Sequence, residues 1–204
     1  MAVCQSSVET LRAEIAAAAA RMIAEDGTDY GTAKRKAAKQ ILGDAKAGSD
    51  LLPDNAQIED EVRIYNALFL SDSQPARLLH LRTVALKLME QLTQFSPYLT
   101  GAVLNGTAGE HSDIHLQLFA DSAKDVEIFL LNKGVDFEVS ETPHVGERNK
   151  YVEMLSFLWR NEGVHLSIYE VGDLRALPKS TGRAGGPPER ANLEAVQKLI
   201  LEQQ

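Results

Sequence analysis

Three polar side chains are spaced so that they could meet around one reaction centre: Asp113 and His115, two apart in SDIHLQLFAD, and His165 in VHLSIYEV. Both segments alternate apolar and polar residues as β-strands do, so Asp113 and His115 project from one face and His165 holds the matching phase of a later strand. Neighbouring strands would bring the three together. One carboxylate with two imidazoles is a ligand set that Zn²⁺, Mn²⁺ or Fe²⁺ favours. The alternative is that both histidines pack between strands and helices with their ring nitrogens satisfied by neighbours. His111, in the preceding loop, would extend the set, although a loop histidine is more commonly just exposed.

Upstream, the turn Asn105-Gly106-Thr107 follows an apolar run. Its backbone N–H groups and hydroxyl can cradle an anion such as a nucleotide phosphate; it can equally be a strand-to-strand turn that uses glycine for its backbone freedom. Lys34, Arg35, Lys36 and Lys39 form the clearest basic cluster. On a helix only Arg35 with Lys39 and Lys36 with Lys39 are surface neighbours, so the charge is partly spread around the axis, as on a solvated face or a phosphate contact. Lys179, Arg183 and Arg190 in PKSTGRAGGPPER would offer phosphate neutralisation or simply belong to a flexible loop. The phosphate loop, the nucleophile elbow, the zincin helix and the dinucleotide fingerprint are all missing. Glu59, Asp60 and Glu61 read as a solubilising helix surface, and Trp159 as a packing residue beside a hairpin turn.

The elements that must position these residues change period near residue 98. Before it, SVETLRAEIAAAAARMIAED (7–26), TAKRKAAKQILG (from about 32 to 42), LLPDNAQIEDEVRIYNALFL and ARLLHLRTVALKLMEQLTQF carry apolar residues at helical spacing, with Gly27, Gly43, Pro53 and Asp54 as boundary signals. After it, YLTGAVLNG and SDIHLQLFAD alternate as strands, DSAKDVEIFLLNKG is an amphipathic helix, and DFEVSET, YVEMLSFLWR and VHLSIYEV are further strands. The last two join as a hairpin at residues 160–163. NLEAVQKLILEQQ ends the chain as a helix. This predicts an α/β (α+β) fold: a helical region over 1–95, a mixed β-sheet core with flanking helices over 96–178, and a Gly/Pro-rich loop with a terminal helix over 179–204.

The order of these pieces resembles the nucleotidyltransferase fold of poly(A) polymerases, CCA-adding enzymes and small bacterial nucleotidyltransferases, over roughly residues 95–172. In that family a Gly-Ser turn holds triphosphate oxygens, an Asp-x-Asp strand binds two divalent metals, and a third carboxylate on a later strand completes the site. Gly106-Thr107 is similar to the turn, Ser112-Asp113-Ile114-His115-Leu116 to the Asp-x-Asp strand, and Val164-His165-Leu166-Ser167-Ile168 to the third-carboxylate strand. Two of the three carboxylate positions hold histidine. Mg²⁺ prefers hard oxygen ligands, so the pattern does not fit ordinary two-metal transfer. The resemblance implies a catalytically degenerate module that binds a nucleotide or anion or acts as a regulator, with a divergent transferase that uses Asp113, His115 and His165 around one Mg²⁺, Mn²⁺ or Zn²⁺ as the alternative.

The 204 residues carry 29 acidic and 21 basic side chains, a net charge of −8 and a pI near 5.2. That balance opposes loose binding to nucleic acid, which depends on basic residues displacing counterions. Cys4 is the only cysteine, so no internal disulfide framework or Cys-based zinc cluster forms. The Ala-rich stretch is bracketed by charges and too short to span a bilayer, and no signal-peptide pattern is present. The expectation is a soluble cytoplasmic protein without membrane contact. A third reading, a structural interaction protein with a homo-oligomer or protein-partner face, would be favoured by exposed apolar stripes over residues 58–69 or 78–92.

Overall fold

The computed structural model of the chain describes residues 2–43, 48, 51–147, 149–176 and 190–203. Helices fill the first part, as the apolar spacing predicts: α1 (Ala2–Asp26), α2 (Tyr30–Leu42), α3 (Asn55–Phe69) and α4 (Gln74–Gln91). Their starts are set locally. The Asp29 carboxylate accepts the Thr32 N–H at 2.9 Å to cap α2. Asp54 opens α3 with a reciprocal box, accepting the Gln57 N–H at 2.7 Å while Gln57 Oε1 accepts the Asp54 N–H at 3.0 Å.

The chain divides into two compact units, residues 1–77 with 107–111, and residues 78–106 with 112–204. The helical unit is built on small side chains. Ile15, Ala16, Ala19 and Ala20 of α1, Ala33 and Ala37 of α2, and Ile58 and Val62 of α3 are buried in one cluster. Alanine favours the helix, and its lack of bulk lets neighbouring helices pack closely. The segment 107–111 joins this unit through its carbonyls: Asn66 Nδ2 donates to Thr107 at 3.5 Å, Gln74 Nε2 to Ala108 at 2.8 Å and Arg77 Nη2 to Glu110 at 3.1 Å.

The second unit is a six-stranded mixed sheet with helices, so the fold class is mixed α/β. The strands are β1 (Tyr98–Thr100), β2 (Ile114–Ala120), β3 (Glu138–Pro143), β4 (Tyr151–Trp159), β5 (Glu162–Glu170) and β6 (Arg190–Ala191), in spatial order β3-β4-β5-β2-β1-β6. β2 and β5 run parallel, and every other neighbouring pair is antiparallel. Intervening helices are α5 (Gly101–Asn105), α6 (Ala123–Asn132), α7 (Asp173–Ala176) and α8 (Leu193–Leu201). Strand alternation sorts the sheet faces. Ile114, Leu116, Leu118, Leu155, Val164 and Leu166 are buried on one face, and buried residues of α4 (Leu81, Leu88, Met89), α6 (Val126, Leu130) and α8 (Val196) complete this unit's core. The other face carries His115, His165, Ser156 and Gln117.

The structure corrects one element. YLTGAVLNG is a three-residue strand followed by the short helix α5, and not one continuous strand. Gly101 turns the chain with φ +70°, Arg82 of α4 donates to the Val103 and Leu104 carbonyls at 2.9 Å each, and Gly106 closes the helix in the left-handed region at φ +86°. The β4–β5 hairpin turns at Arg160 and Asn161, with φ +54° and +67°, as a tight turn between right-twisted strands requires. Lys179 and Arg183 lie outside the described residues. Arg190 belongs to β6, its guanidinium 4.9 Å from the Tyr98 ring centroid and 5.5 Å from that of Phe119. Among the described residues no helix is long and apolar enough to cross a membrane.

Candidate functional site

Register decides which side chains meet. His115 on β2 pairs with His165 on β5, His165 with Ser156 on β4, and His115 with Thr100 on β1. Directly paired residues project to the same face, so Ser156, His165, His115 and Thr100 form one polar row across four strands. Asp113, one residue before β2, reaches the same row. Sequence spacing paired Asp113 with His115, and the parallel neighbour β5 brings His165 beside both.

The contacts inside the row are specific. His165 Nε2 lies 3.2 Å from Asp113 Oδ2, and its Nδ1 lies 2.8 Å from Ser156 Oγ. An ionised carboxylate only accepts, so Nε2 carries the proton and Nδ1 accepts from the Ser156 hydroxyl. The His115 and His165 rings stack with centroids 4.8 Å apart and planes 25° from parallel. Burial of the ring among its neighbours pushes the His115 pKa down, repulsion from His165 adds to this, and Asp113 opposes it. Part of His115 remains open to solvent, so it is a crowded surface group.

Glycines make the space. A Cβ on Gly163 would fall 2.7 Å from Asp113 Cγ, so the carboxylate occupies a position that any side chain at 163 would take. A Cβ on Gly101 would lie 3.8 Å from His115 Cδ2, which places the β1–α5 turn against the imidazole. Neither glycine stood out in the sequence. Gly163 falls in the predicted hairpin over residues 160–163, but its closeness to Asp113 depends on the pairing of β5 with β2 and no local pattern announces it.

The structure brings Asp113, His115 and His165 together, and both nitrogens of His165 are engaged, one by Asp113 and one by Ser156. Among the described residues, a set of possible metal-ligand atoms within 4.8 Å of one another belongs to His144, Glu147 and Asp173. There His144 Nε2 lies 3.2 Å from Asp173 Oδ2, and Nδ1 accepts the Gly146 and Glu147 N–H groups at 3.0 Å each. Lys150 Nζ lies 3.1 Å from Glu147 and 3.9 Å from Asp173 and supplies the cation itself. This cluster clasps the β3–β4 loop.

Asn105, Gly106 and Thr107 sit differently from an open cradle. The Gly106 N–H donates to the Ala102 carbonyl at 3.0 Å as a helix cap. Thr107 is buried in the helical unit beside the Tyr30 hydroxyl. His111 packs against Gly27, whose Cβ would come within 2.5 Å of the His111 Cβ. Lys34 reaches from α2 to Asn55 Oδ1 at the start of α3 at 3.2 Å, and Arg35 donates to Thr32 Oγ1 within α2 at 3.0 Å. Compared with protein-family models and with curated proteins, the chain matches none.

Proposed function

We propose that this chain is a nucleotidyltransferase-like module without two-metal transfer, which binds a nucleotide or a related phosphate-bearing anion at the end of its sheet that carries His115 and His165. The observation that carries the reading is the row Thr100, His115, His165 and Ser156, which sets two hydroxyls and two imidazoles on adjacent strands beside the Gly101 turn; the Thr100 hydroxyl donates to the His115 carbonyl at 3.2 Å and the Ser156 hydroxyl to His165 Nδ1 at 2.8 Å, contacts that a bound phosphate would exchange for its own. A phosphate there would accept from hydroxyl and imidazole N–H groups and would favour imidazole protonation.

The test is thermal unfolding of metal-stripped protein against nucleoside triphosphates, each with Mg²⁺, Mn²⁺ or Zn²⁺. A ligand at about 100 times its dissociation constant adds roughly 2.7 kcal/mol, which for a chain of this size raises the midpoint by about 5 to 11 °C. The reading requires such a shift, lost in His115→Ala. Absence of a shift with every nucleotide removes it.

A second reading rests on a separate observation. Ile64, Leu68 and Phe69 of α3 are 51%, 68% and 66% exposed, an apolar stripe of the kind that contacts another protein. A monomer that stays monomeric at micromolar concentration and is indifferent to Leu68→Glu counts against this face as a homo-oligomer interface.

A further inference from the structure

The geometry points to Ser156 as a nucleophile toward activated esters, with His165 as its general base and Asp113 as the positioning residue for that base. The inference concerns a reaction, not nucleotide binding, and does not depend on it. Three conditions for an activated serine are met by atoms in place. The hydroxyl lies 2.8 Å from an imidazole nitrogen, the other nitrogen lies 3.2 Å from a carboxylate, and the carboxylate fixes the tautomer that leaves Nδ1 free to take the Ser156 proton. The usual assignment of the two ring nitrogens is reversed, which leaves the proton logic unchanged.

The surroundings suit an ester with an apolar acyl group. Asp113, Ser156 and His165 line one open groove of about 920 Å³, whose wall also includes Phe137, Leu158 and Trp159. Leu158 is 74% exposed, so apolar surface is already presented to an incoming chain. Lys133, Asp136 and Glu138 line the same groove. The clearance at Gly163 argues against an accidental contact: a bare α-carbon is what lets the Asp113 carboxylate lie across the start of β5 and reach His165.

In the acylation step Ser156 Oγ attacks the ester carbonyl carbon and its proton passes to His165 Nδ1. A C–O bond forms to Ser156, the bond to the alkoxy group breaks, and the imidazolium returns the proton to the leaving alcohol. Water then takes the place of Ser156 Oγ as nucleophile. His165 again accepts the proton and returns it to Ser156, which releases the carboxylic acid.

The experiment uses nucleotide-free, full-length protein with an alkyl fluorophosphonate, followed by intact mass and peptide mapping. The serine oxygen bonds to phosphorus, fluoride leaves, and the adduct persists. One adduct on Ser156 is expected, absent in Ser156→Ala and formed roughly 100-fold or more slowly in His165→Gln. Asp113→Asn should slow labelling and move its pH profile to lower pH, because loss of the carboxylate makes the imidazole a weaker base; a merely structural role for Asp113 leaves the profile where it was. No adduct on folded wild-type protein overturns the inference, as does an adduct formed equally fast in His165→Gln. Should that variant fail to fold, the wild-type profile decides: labelling that does not rise between about pH 5 and 8, where an imidazole titrates, also overturns it.

Discussion

The Asp113 carboxylate lies over the α-carbon of Gly163, in the volume where a side chain at 163 would stand. A residue that ends a loop and a residue that begins a strand 50 positions later thus determine whether His165 has a carboxylate partner.

Gly163→Ala should displace Asp113 and break its hydrogen bond to His165. Forcing one methyl into this contact costs about 1–3 kcal/mol. Denaturant unfolding reads the loss, and the ¹⁵N shifts of the His165 ring read the tautomer. A ring that stays in the Nε2–H form with wild-type stability would contradict the packing described.

Arg82 is buried, and its two hydrogen bonds to the Val103 and Leu104 carbonyls hold the end of α5. Burial lowers its pKa. Arg82→Met keeps the volume and leaves both carbonyls without a donor, at a cost of about 2–4 kcal/mol. Equilibrium unfolding checks the value. A loss below about 0.5 kcal/mol would show that water replaces the guanidinium easily.

Glu153 pairs in register with Ile168, on the apolar side of the sheet. Burial raises its carboxyl pKa, a hydrogen bond with Glu127 adds to this, and Oε1 has no partner. A carboxyl raised in the folded state contributes stability below its unfolded pKa of about 4.3, and loses that contribution as pH rises through the folded value. Glu153→Gln should therefore stabilise the protein at neutral pH, with the gain vanishing in acid. Unfolding curves at pH 4 and 7 compare the two; equal effects at both would refute the assignment.

His115 behaves in the opposite sense. Its pKa is lowered in the folded state, so the unfolded chain binds the proton more readily. Stability is then complete above the unfolded value near 6.5 and declines as pH falls toward the folded value. His115→Gln should flatten that part of the stability profile, measured by urea unfolding in steps across the acid range. An unchanged slope would assign the acid sensitivity to other groups.

What the sequence determined by itself was local. Asp54 and Gln57 start α3, Gly27 and Gly43 end helices, alternation marks β2, β4 and β5, and the turn at residues 160–163 joins a hairpin, because each signal acts within a few residues. The α/β class followed from these. The tertiary structure decided what depends on distant chain segments. Parallel pairing of β2 with β5 put His115 against His165, and the β4 register added Ser156, a residue with nothing in its own neighbourhood to mark it. Arg82 and the positive φ of Gly101 made a helix from a stretch whose alternation reads as strand. The burial of Thr107 likewise comes from distant segments and not from its own turn. A one-residue slip of β5 against β2 or β4 would have moved His165 to the other face, which is why spacing alone predicted the strands and not the contacts between them.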